Sequence, residues 1–136
     1  MKRTLLITVC ILLAIIGCKP SGYGSGGPDL PTYQTTILSA YAIPQTVVPG
    51  DTALFVCNIS DSTDSTFKFY WSNITPGTPI GGRDTTYHGV MAFYTSENHI
   101  KWKAPSKPYT YTIEVTVDNG SKVNYEVDTS FDITVK

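Results

Sequence analysis

From Gln34 to Val135, apolar side chains return at every second position, and turn-forming residues interrupt them every eight to twelve. Ala53, Phe55, Cys57 and Ile59 fall in one phase, and Phe67, Phe69 and Trp71 alternate with Lys68, Tyr70 and Ser72. Ile100 and Trp102 alternate with Lys101 and Lys103. Tyr109, Tyr111, Ile113, Val115 and Val117 share a phase, as do Val123, Tyr125, Val127, Phe131, Ile133 and Val135. A period of two belongs to a pleated strand with one buried face, whereas a helix needs a period near 3.6. No stretch of this region requires a helix. The chain is therefore expected to be all-β, an antiparallel sandwich of about seven strands, because one-faced strands must bury that face against a second sheet.

The turn residues divide the strands. Gln34 to Ile43 is expected to be a strand ended by Pro44, and Val47 to Asp51 a turn in which Pro49 presets φ and Gly50 follows. Thr52 to Ile59 is a strand, and Ser60 to Ser65 (SDSTDS) a polar loop. After the Phe67–Ser72 strand, the Pro- and Gly-rich Asn73 to Asp84 reads as an irregular connection. Thr85 to Thr95 and His99 to Lys103 are two further strands, and Pro105 and Pro108 stop the second. Asp118-Asn119-Gly120-Ser121 carries the Asn-Gly signal of a tight type I′ hairpin between Tyr109–Val117 and Lys122–Val135.

VVPGDTALFVC, FYW, IKWKAP and YTYTIEVTVDNG together resemble bacterial immunoglobulin-like and PKD-like domains over about residues 35–136. The resemblance implies that Trp71 is the core tryptophan of the third strand and that Tyr111 makes a tyrosine corner. Cys57 then occupies the place of the first cysteine of an antibody-type domain, and Ile113 the place of the second. No disulfide can join them, so Trp71, Phe55, Ile113 and Trp102 must hold the core and Cys57 should act as a small buried hydrophobe. Such a resemblance specifies fold, not activity.

The amino terminus is built differently. Met1-Lys2-Arg3 is basic, and Thr4 to Ile16 is an apolar run of thirteen residues, short of the ~20 that span a bilayer and suited to a secretion signal. Ile15-Ile16-Gly17-Cys18 resembles the lipobox of bacterial lipoproteins. The resemblance implies that residues 1–17 are cut away. Cys18 then takes a diacylglyceryl thioether and an amide-linked acyl chain such as palmitate, and this lipid-attachment residue becomes the new amino terminus. Two or more chains hold a protein stably on a membrane, where one does not. Residues 18–33 are the lipidated Cys18 and a Gly-, Ser- and Pro-rich tether, with too little apolar content to pack. Its thirteen residues Lys19 to Pro31 have an expected reach of about 20 Å, enough to clear the headgroups. The expected location is the bacterial cell envelope, lipid-anchored at the outer membrane. Lys19 rather than an acidic run follows Cys18, which leans towards the periplasm-facing side.

Without Lys2 and Arg3, the chain has 8 basic and 11 acidic side chains, a balance that offers nucleic acid no basic field. His88 and His99 lack ligand spacing to any acidic residue or cysteine, so neither a metal nor another cofactor is expected. Asp51, Asp61 and Asp64 read as solvated turn residues rather than calcium ligands. No nucleophile motif is present. Trp71, Trp102, Tyr111 and Tyr125 are in phase with the core. Tyr70, Tyr87 and Tyr94 are not, and Tyr87, His88, Phe93 and Tyr94 form the candidate ligand patch. The expected protein is a membrane-anchored, non-enzymatic structural or interaction module with an envelope protein as partner. The alternatives are a glycan-binding lipoprotein and a small enzyme inhibitor.

Overall fold

In the computed structural model, residues 35–60, 66–120 and 126–136 are described, all within the compact unit Tyr33–Lys136. The proposed signal, Cys18, the tether, the SDSTDS loop with Asp61 and Asp64, and Tyr125 lie outside the described residues. Ten strands follow in order: β1 (Ile37–Ile43), β2 (Thr46–Val47), β3 (Thr52–Ile59), β4 (Lys68–Ser72), β5 (Thr78–Ile80), β6 (Arg83–Tyr87), β7 (Val90–Thr95), β8 (His99–Lys103), β9 (Tyr109–Asp118) and β10 (Glu126–Val135). They form a four-stranded sheet, β1-β3-β8-β5, and a six-stranded sheet, β2-β10-β9-β4-β7-β6. The all-β sandwich expected from the alternation is therefore present, with ten strands where about seven were expected.

The period-two residues meet between the sheets. Phe55, Cys57, Trp71, Trp102, Ile113, Val115, Val117 and Ile133 are all without measurable exposure. Phe55 lies 5.3 Å from Trp102 and 6.5 Å from Trp71, ring centre to ring centre, so one phenylalanine joins the two tryptophans. Trp102 Nε1 donates to the Ile74 carbonyl at 2.7 Å, and Trp71 Nε1 donates to Thr95 Oγ1 at 2.9 Å. Each buried indole N–H is thus satisfied, as a low-dielectric interior requires. Tyr111 Oη donates to the Lys107 carbonyl at 2.9 Å, closing the corner the sequence implied.

The differences from the sequence reading have local causes. Val47, expected in a turn, is buried in β2, which pairs in parallel with β10 (Val135 opposite Val47). The chain thus crosses from one sheet to the other after β1, and the sandwich is not wholly antiparallel. The connection Asn73 to Asp84 contains β5 and the start of β6. Pro79 sits in β5, which pairs only with β8, and an edge strand tolerates the missing N–H. Thr85 to Thr95 is two strands, because His88 (φ 47°) and Gly89 (φ 80°) form a two-residue turn that sets Tyr87 opposite Val90. Positive φ at both central residues is the type I′ signature.

That signature was expected at Asn119-Gly120, where it is absent. Gly120 has φ 69° but Asn119 is not left-handed, and β9 and β10 pair from Asp118 opposite Glu126. A two-residue turn would have set Asp118 opposite Ser121. Asp118 Oδ1 instead accepts from the Gly120 N–H at 2.7 Å, and the Asn119 carbonyl accepts from Thr66 Oγ1 at 3.0 Å. These bonds pull the chain towards β4. Tyr109, expected on the core face, is 62% exposed and packs edge-on to Tyr111. The core ends one residue pair earlier than the alternation does.

Cys57 is the free cysteine among the described residues and is buried, and burial pushes its thiol up to about 12. A thiol reagent added to native protein should therefore leave Cys57 unmodified on the timescale that modifies a free cysteine, because the nucleophile is the thiolate. Modification would become fast only above the denaturation midpoint, and rapid native labelling would contradict this placement.

Candidate functional site

The outer face of the six-stranded sheet carries the tyrosines that are out of phase with the core. Register places Tyr70 of β4 between Tyr94 of β7 and Thr116 of β9, all pointing away from the core. On the same face Ala92 lies between Ser72 and Thr85. Ala92 is small, and the Tyr87 ring reaches back across it to stack on Tyr70 at 3.8 Å and 15°. Tyr94 lies against the other side of this pair, 5.8 Å from Tyr70. The left-handed turn at His88-Gly89 curls the tip of the hairpin over the sheet. His88 Nε2 thereby comes within 2.8 Å of Glu126 Oε2 on β10, three strands away from β7. A cavity of about 120 Å³ remains beneath the tip, lined by Tyr70, Ser72, Tyr87, Ala92, Glu114 and Thr116 among others.

The Tyr87 hydroxyl is buried with no partner of ordinary hydrogen-bond geometry among the described residues. Burial pushes this phenol well up, and the Glu126 carboxylate, then Asp118 and Tyr70, push the same way. Glu126 is held below the usual carboxylate range chiefly by Tyr87; burial opposes this, and His88 adds to the lowering. The hairpin tip is therefore a latch with a pH window. A lowered Glu126 contributes stability above the ordinary carboxylate range, and that stability is lost as pH falls through the folded value. A raised Tyr87 contributes stability that is lost as pH rises beyond the ordinary phenol value of about 10. The ring signals of Tyr70 and Tyr87 should move as pH falls below the ordinary carboxylate range and move again as it rises beyond about 10. Glu126→Gln should remove the acid limb, and an acid limb unchanged in that variant would refute the latch.

Of the four residues in the expected patch, the structure gathers Tyr87, His88 and Tyr94 and removes Phe93. Phe93 sits opposite Trp71 and packs against the core, because it alternates with Tyr94 and Ala92 in β7. Tyr70 and Glu126 join the site instead. Tyr70 was legible as an out-of-phase tyrosine, whereas Glu126 carried no local signal, because its role depends on the hairpin folding over three strands. Among the described residues, no group of three metal-ligating side chains comes together. His99 instead pairs with Glu97 at 3.1 Å, beside a cavity of about 460 Å³ where the sandwich opens between β5, β6 and the β7–β8 turn.

No family profile matches the chain, and no curated protein matches it. Among solved structures, it is similar to a conjugative transposon lipoprotein from Bacteroides eggerthii, with 11% identity and a TM-score of 0.38, covering 74% of this chain and 94% of that one. It is also similar to a conjugate transposon protein from Bacteroides vulgatus, with 10% identity and a TM-score of 0.41, covering 79% of this chain and 90% of that one.

Proposed function

We propose that this protein is a lipid-anchored envelope lipoprotein, held by Cys18 at the outer membrane, whose immunoglobulin-like or PKD-like sandwich is a non-enzymatic interaction module. The lipobox-like Ile15-Ile16-Gly17-Cys18 supports the anchor, and the strand order supports the immunoglobulin-like reading. In that reading β1, β3, β8 and β5 form one sheet, and β10, β9 and β4, extended by the β7–β6 hairpin, form the other. The observation that carries the interaction role is the aromatic cluster of Tyr70, Tyr87 and Tyr94 on an outer sheet face. Aromatic side chains there lie outside the core, and tyrosine supplies contact area at low entropic cost. Crosslinking of the membrane-attached form should capture one envelope protein with the wild type and lose it with Tyr94→Ala. Capture independent of Tyr94 would reject this face as the contact.

A glycan partner is the second reading. It is favoured by the hydroxyls of Ser72 and Thr116 on the same face, beside aromatic rings that could stack on sugar. A glycan array with wild type, Tyr87→Ala and Tyr94→Ala distinguishes the two readings: sugar binding abolished by either variant selects the glycan.

A further inference from the structure

The two outer faces of the sandwich differ in charge. On the six-stranded sheet, register puts Glu114, Asp118, Glu126, Asp128 and Asp132 on the outer face, against Lys68 and Arg83. On the four-stranded sheet, the outward strand positions hold Lys101 and Lys103 and no carboxylate. Glu97, at the rim of that sheet, is engaged by His99. The same face carries an apolar band. Ile43, Leu54, Lys101 and Ile80 stand side by side across its four strands, and Tyr41 and Val56 stand in the next row beside His99. Ile43 is 52% exposed and Ile80 46%, whereas isolated exposed aliphatics, not aligned rows, are the ordinary pattern. β1, which supplies Tyr41 and Ile43, begins nineteen residues after Cys18.

We propose that the outer face of the four-stranded sheet rests on an anionic lipid surface, with Ile43, Tyr41 and Ile80 at headgroup level and Lys101 and Lys103 on lipid phosphates. This rests on the anchored reading above, because tethering supplies the high local concentration that so small a surface needs. Lipid is the occupant for three reasons. The anchor delivers the first strand of this face to the bilayer, lysines and aliphatics together match an interface of phosphate and acyl chain, and the acidic face is then turned to the water. The tether's length permits clearance from the membrane. The composition of the face favours contact, and contact leaves the tyrosine cluster on the opposite sheet free for a partner.

The test uses residues 18–136, which contain the whole described core, coupled through the Cys18 thiol to maleimide-headgroup lipid. Buried Cys57 does not compete for this coupling. Amine acylation is then followed lysine by lysine by mass spectrometry, with Lys68 on the opposite face as internal control. On equimolar phosphatidylglycerol and phosphatidylethanolamine vesicles, Lys101 and Lys103 should each be protected about fivefold relative to Lys68, the factor that one lysine at an anionic surface is worth. Protection should vanish on phosphatidylcholine and at about 0.5 M salt, where charges are screened within a few Å. The double change Ile43→Ser and Ile80→Ser, with unchanged melting temperature, should weaken it. Equal reactivity of both faces, or protection of Lys68, overturns the proposal. Protection that appears on phosphatidylcholine and grows with protein density also overturns it and assigns the face to a second copy. Because the coupling is chemical, these outcomes do not depend on whether cells lipidate Cys18, which metabolic labelling with palmitate tests separately.

Discussion

Replacing Gly77 with alanine is expected to cost about 3–5 kcal/mol, the sum of an overpacked contact and a lost buried hydrogen bond and a large share of the usual 5–15 kcal/mol. A Cβ built on Gly77 would lie 2.1 Å from Nε1 and Cε2 of Trp102. The ring cannot retreat. Its N–H is bonded to the Ile74 carbonyl, and Phe55 and Tyr111 pack against it at 5.3 and 6.0 Å. The connection after β4 must therefore move instead, which breaks the Ile74 bond and leaves a buried indole N–H unpaired at a cost of about 1–3 kcal/mol. Gly50→Ala is the control. Gly50 has φ 87° but open space around its Cα, so only the left-handed backbone penalty of about 1–2 kcal/mol should appear. Urea unfolding of both variants measures the difference. Equal losses would mean that Gly77 is needed for its backbone rather than for the closeness of Trp102.

Trp71→Ala is expected to lose about 3–5 kcal/mol, the range for deleting a large buried aromatic. Trp71 is fully buried on β4, between Val115 of β9 and Phe93 of β7, and faces Phe55 of the other sheet. Its removal opens a void at the centre of both layers. The polar consequence is small, because Thr95 Oγ1, which accepts from the indole, still donates to the Glu97 carbonyl at 2.7 Å. Thr95→Val in the wild-type background should therefore cost less than Trp71→Ala, about 1–3 kcal/mol, for the orphaned indole N–H. Cys57 supplies the readout. With Cys18 replaced by serine, the rate of Cys57 modification follows the population of opened molecules, so a loss of 4 kcal/mol should speed labelling about 800-fold. A rate within tenfold of wild type would show that the core closes over the missing ring.

The alternation of Ala53, Phe55 and Cys57, of Phe69 and Trp71, and of Ile113, Val115 and Val117 made the core legible, because a strand with one apolar face has only one way to bury it. The resemblance to immunoglobulin-like domains implied the corner at Tyr111, whose hydroxyl donates to the Lys107 carbonyl. The errors fell where a residue's conformation is chosen by distant partners. Asn119-Gly120 has the preferred hairpin dipeptide, but bonds from Thr66 and to Asp118 compete for it. His88-Gly89 is a poorer signal and makes the tight turn, because Tyr87 and Val90 pair across it and His88 reaches Glu126 from it. Phe93 departs from the expected patch because Thr85 to Thr95 is two strands rather than one. The turn at His88-Gly89 fixes the phase of β7, and that phase sends Phe93 inward and Tyr94 outward.

By itself, the sequence determined that this chain is a β-sandwich and which residues fill most of its core, since these follow from period and composition. Its four-residue pattern at Cys18 set the expectation of a membrane anchor. Only the tertiary structure decided that the two outer faces oppose each other in charge, because that depends on which strands are neighbours and in what register. Only the fold, likewise, could bring Glu126 to His88 and Tyr87 across 38 residues of chain and three intervening ladders, where burial and a shared carboxylate give the hairpin tip its hold on the sheet.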